Sequence, residues 1–143
     1  MIRPAQPTDL ERLVEMGVRF ISETGYRDLI AVDPARLSET MVKLAASDDA
    51  LILVSDVDGR AVGAIAMVLY DHPFAQTRTA SEMFWWVDPE ARGDGLRLLR
   101  AAEKWAQERG AAIVQMIAPT PRVSDLYRRL GYREVETSFQ RSL

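Results

Sequence analysis

The sequence predicts an α/β fold: a mixed sheet with helices on both faces, formed by one domain over residues 1–143. Three observations predict it. Apolar residues recur at the helical period in four segments and form short strand-like runs in six others. Asp58-Gly59 sits between two of those runs, a tight-hairpin signal. Strand, helix, strand, helix and strand patterns then follow in turn, so the order is β-α-α-β-β-β-α-β-α-β.

Residues 2–4 read as a short first strand. Thr8 or Asp9 can cap a helix, and Asp9, Glu11 and Glu15 lie early, where the helix dipole favours anions. Leu10, Leu13, Val14, Val18 and Ile21 keep the helical period, so residues 9–23 are predicted as helix, broken by Gly25-Tyr26. Asp33-Pro34 supplies a cap and a first-turn proline for a second helix ending near Ser47, with Leu37, Met41 and Leu44 on one face. Residues 50–57 and 60–70 are the two strands of the hairpin. Residues 71–78 are a loop, and residues 80–87 are a strand ended by Asp88-Pro89. Alternation along that strand puts Glu82 with Phe84 and Trp86 on one face, and Met83 with Trp85 and Val87 on the other. Residues 90–95 read as a polar turn bearing glycine. A helix follows to about Arg109, burying Leu98, Leu99, Ala102, Trp105 and Ala106, with Gly110 beyond its end. Residues 112–118 are a buried strand, Thr120-Pro121 starts a last helix that stops at Gly131, and residues 132–142 are a final strand with Val135, Thr137 and Phe139 on one face.

Composition narrows the function. Hydrophobic residues make up 48%, enough for a core without a staple or a metal. Cysteine is absent, which excludes disulfides, cysteine nucleophiles and thiolate metal sites. The net charge of −3 offers no basic stripe for nucleic acid. No apolar run approaches the roughly 20 residues a membrane helix needs, and no signal-peptide pattern opens the chain. The expected location is the cytoplasm. With one histidine, His72, no metal site is expected.

Chemistry concentrates between residues 80 and 109. A glycine-bearing turn between a strand and a helix N-terminus leaves backbone N–H groups for an anion such as a phosphate or diphosphate. Gly93 and Gly95 lack a Cβ, and Arg92 and Arg97 add positive charge. The plain alternative is a simple strand–helix connection. The turn lacks the Gly-Lys-Ser/Thr of nucleotide hydrolases and the G-x-G-x-x-G of dinucleotide sites.

The wording Val87-Asp88-Pro89-Glu90-Ala91-Arg92-Gly93-Asp94-Gly95 closely resembles the acetyl-CoA signature of the GNAT N-acetyltransferase superfamily, and Leu98 to Ala106 resembles its trailing helix. Leu126-Tyr127-Arg128-Arg129-Leu130-Gly131-Tyr132 looks like that family's closing helix, and Ile2-Arg3-Pro4-Ala5 followed by Asp9-Leu10 is similar to its opening. The resemblance spans nearly the whole chain. The Trp-Trp-Val-Asp-Pro-Glu segment and the short tail also look similar to GNAT proteins of tailed phages. The family usually carries Arg/Gln-x-x-Gly-x-Gly/Ala. One register places Arg92, Gly95 and Arg97 on it; another places Gly93 and Gly95 at the small positions and Glu90 where a basic residue belongs. In both, the loop is shortened. Thr120 stands where the family often has Asn, seven residues before the tyrosine. One tail strand replaces the usual two, leaving a sheet edge that needs cover, as in a homodimer.

The resemblance implies a GNAT-like acyl-CoA N-acyltransferase fold with acetyl-CoA as co-substrate and a small-molecule or protein amine as acceptor. It implies that the pantetheine arm lies between the strands ending at Val87 and starting at Ala112, along the backbone of Trp85 and Val87. The diphosphate would meet Arg92, Gly93, Asp94, Gly95, Leu96 and Arg97, with Thr120 nearby. Tyr127 would be the acid that protonates the departing thiolate, and Glu82 the base that takes the amine proton. The plain readings are a core tyrosine and a solvated strand carboxylate. His72 is the second candidate base, and Tyr26 a candidate acceptor contact. A function of another class is a GNAT-like module that binds coenzyme A without catalysis, or serves interaction or regulation.

Overall fold

The computed structural model describes the backbone of residues 1–143 and every side chain except that of Arg92, so the role expected of Arg92 lies outside the described residues. Five strands form one sheet in the order β1-β2-β3-β4-β5: β1 Ile2–Pro4, β2 Ala50–Val57, β3 Arg60–Asp71, β4 Arg78–Val87 and β5 Ile113–Gln115. All pairings are antiparallel except β4 with β5. The helices are α1 Leu10–Ser22, α2 Pro34–Ala45, α3 Gly95–Glu108 and α4 Pro121–Arg129. Asp58 and Gly59 turn the β2–β3 hairpin at φ 52 and 81, a conformation that favours these two residue types. Asp33 caps α2 through the N–H groups of Ala35 and Arg36.

Two cores sandwich the sheet. Leu13, Met16 and Met41 of α1 and α2 pack on Ile52, Val54, Ala64, Ala66, Phe84 and Trp86. Leu98, Leu99, Ala102 and Ala106 of α3 pack on Leu53, Ile65, Met67, Leu69 and Ala80. Asp88 closes β4 on the first face. It accepts from the Trp86 indole at 3.1 Å and pairs with Arg12 and Arg19.

β4 departs from the expected alternation. The register runs Met67↔Glu82 and then Ala66↔Phe84, so Met83 has no partner and forms a bulge. One extra residue reverses every face beyond it. Glu82 therefore lies on the α3 face with Ala80 and Met67, whereas Phe84 and Trp86 face α1. The expected grouping of Glu82 with Phe84 and Trp86 is corrected.

Three further expectations change. The strand over 112–118 shortens to Ile113–Gln115. The polar turn becomes two 3-10 turns over Pro89–Asp94, kinked at Ala91, that run into α3. Residues 133–143 form no strand, and Val135 and Phe139 are 83% and 91% exposed. A strand needs a partner edge, and β5 is only three residues long. Deleting residues 135–143 is therefore expected to shift unfolding stability by no more than about 0.5 kcal/mol, as for other exposed changes. Urea denaturation at low protein concentration checks this; a loss above about 2 kcal/mol would mean that the tail packs somewhere.

Candidate active site

The site lies where β4 and β5 part. They pair at Thr79↔Ile113, Ala80↔Val114 and Ser81↔Gln115, and no further. Beyond that point Glu82, turned to the α3 face by the bulge, reaches across the gap and accepts the Ile117 N–H at 3.0 Å. Tyr127 comes from α4 and donates its hydroxyl to the Ile117 carbonyl at 3.3 Å. The two side chains expected to be base and acid, far apart in sequence, thus meet at one residue. Both are nearly closed to solvent, at 4% and 6% exposure.

Burial sets their proton affinities. It raises the Glu82 carboxyl from 4.5 to about 7, against the opposing pull of the Ile117 N–H and the Tyr127 hydroxyl. Burial, and then the neighbouring Glu82 charge, push the Tyr127 phenol above its ordinary value. Near neutrality Glu82 is poised between its two forms, while Tyr127 keeps its proton.

An aromatic row holds Tyr127. The Trp85 ring stacks on it at 6.1 Å between centroids, and the Tyr132 ring follows at 5.5 Å. Tyr132 then donates to Glu103 of α3 at 2.6 Å. At the other end, a Cβ on Gly95 would stand 3.2 Å from Cζ2 of Trp85, so the missing side chain lets this ring pack closely on the start of α3. The Trp85 indole N–H is buried and has no hydrogen-bond partner among the described residues, an unused donor beside the gap.

The segment expected to hold a diphosphate is less open than a glycine loop. Its 3-10 turns bond internally, with the Ala91 N–H going to the Asp88 carbonyl at 2.9 Å. Gly93 is exposed with open space around its Cα, whereas Gly95 is buried. Val87 packs beside Gly95, its Cγ2 3.6 Å from the position a Cβ would take. Asp94 points its carboxylate inward, accepting from buried Ser55 at 2.6 Å and from Arg97 at 3.1 Å. The Ser55 hydroxyl, more than Arg97, holds that carboxyl below its usual range. Leu96 and Arg97 face solvent. Thr120 caps α4 through the Val123 N–H at 3.4 Å. His72 accepts from the Phe74 N–H inside the β3–β4 hairpin, and Tyr26 packs on Phe20; neither bonds to Glu82 or Tyr127.

Sequence reasoning named Glu82 and Tyr127 but missed their shared partner Ile117, the Tyr132–Glu103 brace and the Ser55–Asp94 pair. Tyr132 carried a signal in its place after Gly131. Ser55 and Ile117 carried none.

A buried carboxyl and a buried phenol thus converge where two strands of the sheet part. The sequence matches the model of the Acetyltransferase (GNAT) family over residues 19–132, and the chain belongs to that family. No curated protein matches the sequence. Among solved structures, a transcriptional regulator from Bacillus halodurans is similar with a TM-score of 0.83 at 20% identity, covering 100% of this chain and 99% of that one. An aminoglycoside antibiotic 6'-N-acetyltransferase from Acinetobacter haemolyticus matches at 0.78 and 22%, covering 100% and 97%. A predicted acetyltransferase with acetyl-CoA from Clostridium acetobutylicum matches at 0.79 and 16%, covering 99% and 95%. At these identities the likeness is one of fold.

Proposed function

We propose that this chain is an N-acetyltransferase that moves the acetyl group of acetyl-CoA to a primary amine of a small molecule or protein, by direct attack in a ternary complex. The observation that carries the reading is the meeting of Glu82 and Tyr127, both buried, at the opening between β4 and β5. The residues at this end suit the co-substrate: an unused indole donor on Trp85, a strand whose β5 side has no partner past Ser81, and a proton acceptor facing a proton donor. The β4 backbone at Trp85 and Val87 would hold the pantetheine arm. The amides from Gly93 to Arg97, with the Arg97 side chain, would face the diphosphate.

When bound, acetyl-CoA supplies an acyl group on a thioester whose sulfur leaves as a thiolate. Glu82 accepts the proton that the amine sheds as its nitrogen bonds to the acyl carbon. Tyr127 gives its hydroxyl proton to the sulfur as the carbon–sulfur bond breaks. The protonated Glu82 then returns a proton to the Tyr127 oxygen beside it, so both groups end as they began.

A second reading, a coenzyme A-binding or regulatory module without catalysis, is favoured by the inward Ala91 N–H and by the carboxylate of Asp94 at the start of α3. One experiment separates the two: thermal shift with acetyl-CoA, and thiol release with a panel of amines. A rise in melting temperature with amine-dependent thiol release is expected. A thermal shift without release from any amine supports the second reading, and a flat result in both assays removes the co-substrate from either.

A further inference from the structure

We propose that the backbone of Ile117 occupies the reacting position in the free protein, its N–H standing where the acceptor amine will sit and its carbonyl where the departing sulfur will sit. The inference rests on the acetyltransferase reading above. Its basis is the hydrogen-bond pattern at the gap. Glu82 accepts from the Ile117 N–H, as a base must accept from an amine. Tyr127 donates to the Ile117 carbonyl, as an acid must donate to a thiolate. The donor and the acceptor belong to one residue, as the attacking nitrogen and the departing sulfur belong to one acyl carbon.

Three features fit a displaceable placeholder. The β4–β5 ladder ends at Gln115, so no strand pairing holds Ile117. Ile117 is 45% exposed and lies outside both buried cores. Pro119 follows and has no N–H with which to extend the strand. Glu82 and Tyr127 are themselves nearly inaccessible, and the Ile117 backbone bonds to the polar end of each, so its withdrawal would free both. Segments with few buried contacts open at the lowest free energy. A closed free state also lowers apparent affinity by the fraction of open protein.

Amide hydrogen exchange by NMR tests this on the whole chain, with acetyl-CoA as the probe. Shifts of the Leu96 and Arg97 amides report binding. At saturation, exchange at Ile117 is expected to quicken at least about tenfold, while Ala80 and Val114 in the β4–β5 ladder keep their protection. If acetyl-CoA binds and Ile117 stays protected, the placeholder is overturned and the acetyltransferase reading stands. If no amide responds to millimolar acetyl-CoA, both fall. Ile117→Pro removes the N–H and is expected to bind acetyl-CoA about three- to tenfold more tightly by calorimetry. Equal or weaker binding by a folded variant also overturns the placeholder, and the exchange experiment decides the matter without the variant.

Discussion

Replacing Tyr127 with Phe is expected to lower turnover about a hundred- to a thousandfold, within the usual contribution of a positioned acid, while acetyl-CoA binding changes by less than about threefold. Phe keeps the ring that stacks between Trp85 and Tyr132, so the aromatic row survives. The change removes one hydroxyl, whose bond to the Ile117 carbonyl is long at 3.3 Å and worth about 1 kcal/mol or less. Turnover suffers because the thiolate then leaves without a proton. The pairing with Glu82 makes the effect large. While Glu82 is charged, it helps hold the phenol proton in place. Once Glu82 takes the amine proton that charge is gone, and Tyr127 releases its own proton more readily at the step that needs it. Thiol-release kinetics beside calorimetry of acetyl-CoA binding check this; turnover within threefold of the parent chain removes Tyr127 from the chemistry.

The parts of the fold that sequence made legible were those set by local pattern. Apolar runs marked β2, β3 and β4, Asp58-Gly59 marked their hairpin, and Asp33-Pro34 marked the start of α2. These signals arise within a few residues and owe little to the rest of the chain. The bulge at Met83 had no such signal. Nothing in Ser-Glu-Met-Phe separates an even strand from one with an inserted residue, since the bulge reflects how β4 fits β3. The cost was the face of Glu82, and with it the reason that this carboxylate meets Tyr127. The tail failed for the opposite reason: Val135, Thr137 and Phe139 alternate as a strand should, but a strand forms only against an edge, and β5 is three residues long. In the segment expected to meet a diphosphate, the inward turn of Asp94 involves Ser55, thirty-nine residues away, a contact no local pattern announces. Glu82 and Tyr127 were named because family wording fixed their positions; their convergence on Ile117 is a tertiary fact.

Replacing Glu82 with Gln is expected to weaken turnover about a hundredfold while strengthening the fold above neutral pH. The Glu82 carboxyl, ordinarily near 4.5, is raised to about 7, with burial the leading cause. The folded chain therefore holds this proton to a higher pH than the unfolded chain does. The stabilising contribution is complete below 4.5 and is lost as pH rises through about 7, a change on the order of 3 kcal/mol. Gln carries no charge in this range, and its carbonyl oxygen can still accept the Ile117 N–H. Urea unfolding should thus find Glu82→Gln more stable than the parent at pH 8, with the gap closing toward pH 5. The rise of turnover near pH 7, where the parent's base ionises, should vanish in the variant. A variant less stable than the parent at pH 8 would show that the ionised carboxylate sits comfortably in the fold, and unchanged turnover would show that it is not the base. The two effects have one origin. A carboxylate surrounded by Tyr127, Ile117 and the α3 face lacks the water that would quiet it, and the free energy that ionisation costs the fold is what makes Glu82 basic enough to take a proton from an amine.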